Sequence, residues 1–382
     1  MISFEPTDEQ RELRKLAHEF AERELRPIAA EWDEREAFPP DLLGKAARAG
    51  LTSYAIPAAY GGGGADAVTS ALIAEELAWG CAGLASTLQA TMFPVRPLLR
   101  FGTEPQRRRY LPLLAREEGT LAAIAFTEPH AGSDLAAIRT EARRDGDGYL
   151  LTGEKVYITN GGIADVTVVF AKVNGEITAF LLEKGEVSAG RVERKVGLRA
   201  SHTGSVILEG AHIPSDRRIG DEGAGLEIAL DFFQASRPQV AAAAVGVARA
   251  AFEYASDYAR GREAFGRPIL TRQGVGFKLA DMAMLVEAAR LLVWRAAAAL
   301  DRNEDAGLPG SYAKAFAADA AMRITTDAVQ VLGGAGIMRD HPVEKWMRDA
   351  KVFQIVEGTS EVQRHIVAAY LRGEQGDGQT QG

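Results

Sequence analysis

Residues 166–184 read VTVVFAKVNGEITAFLLEK. The runs VTVVFAKV and EITAFLLEK are short and β-branched, and Asn174 and Gly175 stand between them, as expected of antiparallel strands. YLLTGEKVYIT (149–159) and GSVILEGAHIP (204–214) have the same character. Outward from this block the period changes. Before residue 120, apolar residues recur at helical spacing from Leu13 through Leu16, Ala17, Phe20 and Ala21, after a capping-box pair of Thr7 and Gln10. PDLLGKAARAGL (40–51), TSALIAEELAWG (69–80) and PQRRRYLPLLARE (105–117) continue the pattern, with a break at YGGGGAD (60–66). Beyond residue 222 come long Ala/Leu/Arg-rich segments such as ADMAMLVEAARLLVWRAAAAL (280–300) and SYAKAFAADAAMRITTDAVQVL (311–332), which suit a bundle. The expected fold is therefore α+β. It comprises an N-terminal helical domain (1–119), a middle antiparallel β domain (120–222), a C-terminal helical bundle (223–372) and a mobile tail (373–382).

Composition narrows the function. With 382 residues and 47% hydrophobic content, the chain can enclose a large ligand. A net charge of -8 disfavours broad binding to nucleic acid or anionic membranes, so anionic ligands must be met by local charge. The single cysteine, Cys81, excludes an internal disulfide and any cysteine-built zinc site. The N-terminus MISFEPTDEQRELRKL has no apolar leader core and carries acids, which points to a cytoplasmic protein. In PQVAAAAVGVARAAF only 11 uncharged residues separate Arg237 from Arg249, too few to span a bilayer, so a buried helix is expected. The six histidines show no metal-ligand spacing. No Rossmann fingerprint, P-loop or G-x-S-x-G elbow occurs, and the glycine clusters read as turns.

Three polar motifs remain. FTEPHAGSD (126–134) opens the β block, and YITNGG (157–162) ends a strand with an amide and two glycines. Both have the composition of turns whose N–H and hydroxyl groups could hold a polar heterocycle or a phosphate. FQIVEGTSEVQR (353–364) sets a carboxylate, Glu357, between an apolar run and a glycine. Such a group is costly to bury unless it is paired or used, and its plainest role is a favourable charge at a helix N-terminus.

These motifs, together with GREAFGRPILTRQGV (261–275) and DAVQVLGGAGIMRDHPVEKWMRDAK (327–351), occur in an order and at separations that resemble the acyl-CoA dehydrogenases. The resemblance runs from about residue 5 to 372. It implies the same three-part architecture with a C-terminal four-helix bundle, FAD between the β domain and the C-terminal helices, and a homotetramer built as a dimer of dimers. By position, Phe126, Thr127, Ser133, Tyr157 and Thr159 would contact the flavin, Tyr157 standing where many members place a tryptophan. Arg262, Phe265, Gln273, Gln330 and Gly334 would hold the adenosine diphosphate end from the neighbouring subunit, and Thr359 and Glu361 would also reach the FAD.

The resemblance makes Glu357 the base that removes the pro-R α-proton of an acyl-CoA thioester while the β-hydrogen leaves as hydride to flavin N5. A free glutamate has a pKa of about 4.3, so burial must raise it for this work. Some branches place the base one position before the arginine of the long C-terminal helix, but here that residue is Ser236, which cannot serve. Ser133, Arg237 and Gly358 would meet the substrate, while Ser86, Gln89, Phe93 and Val356 would line the acyl cavity. Val356 in place of a tyrosine widens the cavity near the thioester, and Gln89 and Phe93 limit its depth, which implies short- to medium-chain or branched acyl groups. Leu84 occupies the position of the arginine that receives a distal carboxylate in glutaryl-CoA members, and Gln234 replaces a usual aspartate. Electron-transferring flavoprotein is the expected electron acceptor. The alternatives are a related flavoprotein oxidase, a nitroalkane-oxidising relative, an acyl-carrier-protein-dependent dehydrogenase, a non-catalytic flavin-binding protein, or a DNA-binding relative. The acidic chain, without Lys or Arg after Arg372, opposes the last, and the retained Glu357 opposes the non-catalytic one.

Overall fold

The computed structural model describes residues 5–373. Strands β1 (Ala122–Ala125), β2 (Glu141–Asp145), β3 (Gly148–Thr159), β4 (Val166–Val173), β5 (Glu176–Glu183), β6 (Ser188–Val192), β7 (Thr203–Pro214) and β8 (Arg218–Ile219) form one sheet. Its order is β6-β7-β3-β2-β4-β5-β8, with β1 beside β4. Asn174 and Gly175 turn β4 into β5 with φ of 50° and 91°, the left-handed pair that a two-residue hairpin requires. Along β4, Val166, Val168 and Phe170 enter the large core shared with the helices, while Val169, Ala171 and Val173 enter a second core on the other face. The period of two thus gives the sheet two dry faces. Strand β2 meets β4 in parallel at Glu141 and Lys172, and β1 also runs parallel to β4. Two intervening strands of chain make the β1–β4 pairing possible, because it needs a long crossover.

The N-terminal helices are α1 (Asp8–Phe20), α2 (Ala29–Arg35), α3 (Leu42–Arg48), α4 (Ala67–Ala90), α5 (Val95–Phe101) and α6 (Glu104–Leu114). Thr7 and Gln10 form the capping box of α1. Helix α4 is apolar almost all round and is accordingly buried. The C-terminal helices follow, the first two joined by a short hairpin of β9 (Glu263–Ala264) and β10 (Arg267–Pro268) and both packed on α4. They are α7 (Gly225–Gly261), α8 (Gln273–Asp301), α9 (Gly307–Leu332), α10 (Val343–Phe353) and α11 (Ser360–Leu371). The last two are short helices joined by a loop that carries Glu357. The split follows from Glu357 and Gly358, whose φ of 55° and 87° no helix accommodates. Asp301 at the end of α8 accepts the Ala67 and Val68 N–H groups (2.6 and 3.1 Å), fastening the bundle to the start of α4. No helix among the described residues is long and apolar enough to cross a membrane. The tail expected to be mobile lies outside the described residues from residue 374 onward.

Candidate active site

Helix α11 is capped by Thr359, whose Oγ1 accepts the Val362 N–H at 3.1 Å. Glu357 stands two residues upstream and does not serve as the cap. The loop that holds it closes on itself, because the Ser360 N–H donates to the Gln354 carbonyl at 2.9 Å. Asp319 on α9 accepts from the Gln354 amide (2.7 Å) and the Ser360 hydroxyl (3.0 Å), pinning both ends of the loop. A Cβ on Gly358 would lie 2.6 Å from Gln363 Nε2, so this left-handed position admits only glycine. Between these anchors the Glu357 Oε2 atom accepts a hydrogen bond of 2.7 Å from the Ser236 hydroxyl of α7. Burial pushes the Glu357 carboxyl above its usual range, while the Ser236 hydrogen bond and the charges of Lys314 and Arg237 pull it down.

The same stretch of α7 collects the other candidates. Phe233 faces Phe126 with ring centroids 6.4 Å apart, and Phe232 faces Phe93 at 5.4 Å. The flavin-loop candidate Phe126, the acyl-cavity candidate Phe93 and the base candidate Glu357 therefore meet around one helix surface, Phe232–Phe233–Ser236. Ser86 and Gln89 lie on the last turn of α4, just ahead of Phe93. Ser86 returns its hydroxyl to the Ala82 carbonyl (2.8 Å), and the Gln89 Nε2 atom is buried without a partner among the described residues.

On the sheet side, the Val156 N–H donates to the Thr127 carbonyl (2.9 Å), joining the 126–134 loop to the end of β3. The β3–β7 register slips between Lys155 and Ile158, and this bulge turns Tyr157 outward. Tyr157 is 66% exposed at a φ of 61°, an aromatic face held in a strained backbone and not used in packing. Thr159 follows it on the strand, and Ser133 is exposed on the facing loop. Beneath them, Glu128 accepts from the Arg139 and Thr140 N–H groups, the Thr140 hydroxyl and Lys155, whose ammonium also donates to the Phe126 carbonyl (3.1 Å). Burial alone would raise the Glu128 carboxyl, but these donors bring it down to about 2. An exposed aromatic face beside a rigid polar loop suits a planar heterocycle, so these residues fit a flavin.

The candidates for the far end of the cofactor lie apart from this cleft. Arg262 follows α7, Phe265 tips the β9–β10 hairpin and Gln273 opens α8. Gln330 and Gly334 mark the end of α9, which Lys278 ties to α8 through Asp327 at 2.7 Å. All five are exposed, and Phe265 is 94% exposed at a φ of 53°. Glu361 is exposed on α11.

Arg237 is only 3% exposed and its Nη1 lies 3.5 Å from the Ser311 hydroxyl, so its guanidinium faces the bundle interior. The sequence reading passed over Lys155 and Lys314 and dismissed Ser236 as a base without foreseeing it as the hydrogen-bond partner of Glu357. The signal for Lys314 was present in SYAKAFAADAAM (311–322), where a lysine shares one helical stripe with Ala317, Ala318 and Ala321.

Among the described residues no cluster of His, Cys, Asp and Glu could hold a metal ion. Profiles described as the acyl-CoA dehydrogenase N-terminal, middle and C-terminal domains match residues 7–118, 123–211 and 223–371. An acyl-CoA dehydrogenase of Bacillus subtilis is 44% identical, covering 96% of this chain and 99% of its own. Butyryl-CoA dehydrogenase from Megasphaera elsdenii superposes with a TM-score of 0.94 at 40% identity, over 97% of this chain and 100% of that one. A chain in a structure of the electron transferring flavoprotein of Acidaminococcus fermentans gives the same TM-score and identity, 0.94 and 40%, over 97% and 99% of the two chains. With all three domains matched in order, the chain belongs to the acyl-CoA dehydrogenase family and is an FAD-dependent oxidoreductase.

Proposed function

We propose that this protein dehydrogenates the α,β bond of a saturated short- to medium-chain or branched acyl-CoA to the trans-2-enoyl-CoA, with Glu357 as the proton acceptor. The observation that carries this is a carboxylate raised by burial, set on a strained loop and oriented by the Ser236 hydroxyl at 2.7 Å. FAD, when bound, would supply the two-electron, hydride-accepting chemistry that the β-hydrogen requires. Glu357 takes the α-hydrogen as a proton, and Ser236 fixes which carboxylate oxygen is aimed at it. The rings of Phe126, Phe233, Phe232 and Phe93 exclude water along α7, which keeps Glu357 basic. Tyr157, Thr127, Thr159 and Ser133 would hold the flavin, and the Lys155–Glu128 pair keeps their loop in place. Anaerobic mixing of the yellow protein with saturated acyl-CoAs from C4 to C16 should bleach the oxidised flavin band. Failure of every chain to bleach it would overturn the proposal.

Phe93, seated edge-on against Phe232, would close the floor of the acyl cavity, with Gln89 and Ser86 above it and Val356 near the thioester. The expected optimum of kcat/KM is a short or branched acyl chain. Each added methylene should change it by no more than about 10–200-fold. Phe93→Ala is expected to move the optimum to longer chains. An optimum at C12 or beyond in the unmodified protein would contradict this floor.

The exposed hairpin tip at Phe265, with Arg262 and Gln273 beside it, suits a neighbouring subunit and its FAD within a tetramer. Assembly and cofactor retention are then linked, because a ligand bound at an interface stabilises the assembly that holds it. Arg262→Ala should therefore lower both the flavin content after gel filtration and the fraction of tetramer in dilute solution. Full flavin content in a monomeric variant would contradict this arrangement. Electron-transferring flavoprotein is the proposed acceptor, and the cytoplasm the proposed location. Reoxidation by that flavoprotein should greatly exceed reoxidation by dioxygen, whereas an oxidase would show the reverse.

A further inference from the structure

We propose that Lys314 is a positioning residue for the proton acceptor. Its ammonium clamps the Glu357–Gly358 turn through the Gly358 carbonyl and supplies, together with Arg237, the positive charge that keeps Glu357 ionised. This rests on Glu357 being the base.

Lys314 is 1% exposed in the middle of α9, an environment in which a lysine is costly unless its charge is answered. Its ammonium donates to the Gly358 carbonyl at 2.6 Å. The Gln363 amide donates to the same carbonyl (3.1 Å) and to that of Glu357 (3.3 Å). Two successive left-handed residues, Glu357 and Gly358, are thus held by donors on α9 and α11. A glutamate relaxes from φ near 55° unless its surroundings over-determine it, and relaxation would carry the carboxylate away from Ser236.

The charges around the turn are unequal. Glu357 faces two buried cations, Lys314 from α9 and Arg237 from α7. Lys314 faces Glu357, Asp319, Glu361 and Arg237. Asp319 is already engaged by Arg364 at 2.6 Å, and Glu361 is exposed. Arg237 faces Glu357 and Tyr370, and its buried Nε atom has no hydrogen-bond partner among the described residues. Glu357 is therefore the anion common to both cations. Burial and the repulsion from Arg237 bring the Lys314 ammonium down to about 8, despite the opposing pull of the carboxylates. Protonating Glu357 would leave two buried positive charges facing each other, and that resists its neutralisation by burial.

Two variants separate the clamp from the charge. Lys314→Gln keeps an N–H for the Gly358 carbonyl without the charge, and Lys314→Met removes both. For the FAD-loaded proteins, the rate of flavin reduction by acyl-CoA is followed against pH, together with amide hydrogen exchange of residues 354–360. A neighbouring cation lowers a carboxyl pKa, so its loss raises that of Glu357. The ascending limb of the rate profile should move to higher pH by about one unit or more in both variants. Exchange in the loop should quicken in Lys314→Met alone, and Lys314→Arg should restore the limb. If Lys314→Met does not retain FAD, Lys314→Gln decides. A Lys314→Gln limb that superimposes on the wild-type limb overturns the inference, provided that Glu357→Gln is inactive. A Glu357→Gln protein that still reduces its flavin overturns instead the assignment of the base.

Discussion

Glu357→Gln should bind FAD and acyl-CoA as the wild type does, yet reduce its flavin about 10²–10⁴-fold more slowly, the effect of losing a general base. The amide is isosteric and can still accept the Ser236 hydrogen bond that now reaches Glu357 Oε2 at 2.7 Å. The loop geometry should survive, because it is fixed by Asp319, Gln363 and Lys314 and not by the Glu357 side chain. What is lost is the capacity to take the α-proton, so the deficit belongs to the reductive half-reaction and not to binding. Rapid mixing without oxygen, with an independent titration of a non-reacting thioester, separates the two. A near wild-type reduction rate would leave the carboxylate without a chemical role.

Lys155→Met is expected to lower stability by about 3–5 kcal/mol, the usual result of stranding one member of a buried ion pair. Lys155 is 0% exposed, and its ammonium joins Glu128 at 2.7 Å beneath the loop proposed to hold the flavin. The variant should also lose FAD on gel filtration, because the Phe126 carbonyl would lose its donor at the same time. Adding Glu128→Gln to Lys155→Met should recover much of the stability, since no bare charge is then buried. The pH dependence has a definite sign. The Glu128 carboxyl is depressed to about 2, so its stabilisation is present above the ordinary glutamate range and is lost only as pH falls towards about 2. Denaturant titrations of the single and double variants at neutral pH provide the measurement. Equal stability of Lys155→Met and wild type would contradict the role of the pair.

The strands were legible because their signal is local. VTVVFAKV corresponds to β4 residue for residue, since period-two burial on both faces demands β-branched and aromatic side chains at successive positions. Strand β2 was missed because EARRD is almost wholly exposed and carries no apolar alternation, and β1 because AAIA is four residues long. The parallel placement of β1 beside β4 is set by a crossover that no local pattern records.

Read locally, Glu357 is a charge near a helix start and the 126–134 loop a polar turn, and it is the order and spacing of the motifs that single them out. Tertiary structure alone decided which groups act on them. Ser236 reaches Glu357 across 121 residues of chain, Lys314 reaches Gly358 across 44, and Lys155 reaches Phe126 across 29. The buried state of Arg237 likewise came only from the packing of α7 against α9. The physical reason is the range of each effect. Backbone preference and side-chain periodicity act within a few residues and are written in the sequence, whereas desolvation and charge pairing depend on what distant segments bring to within a few ångströms.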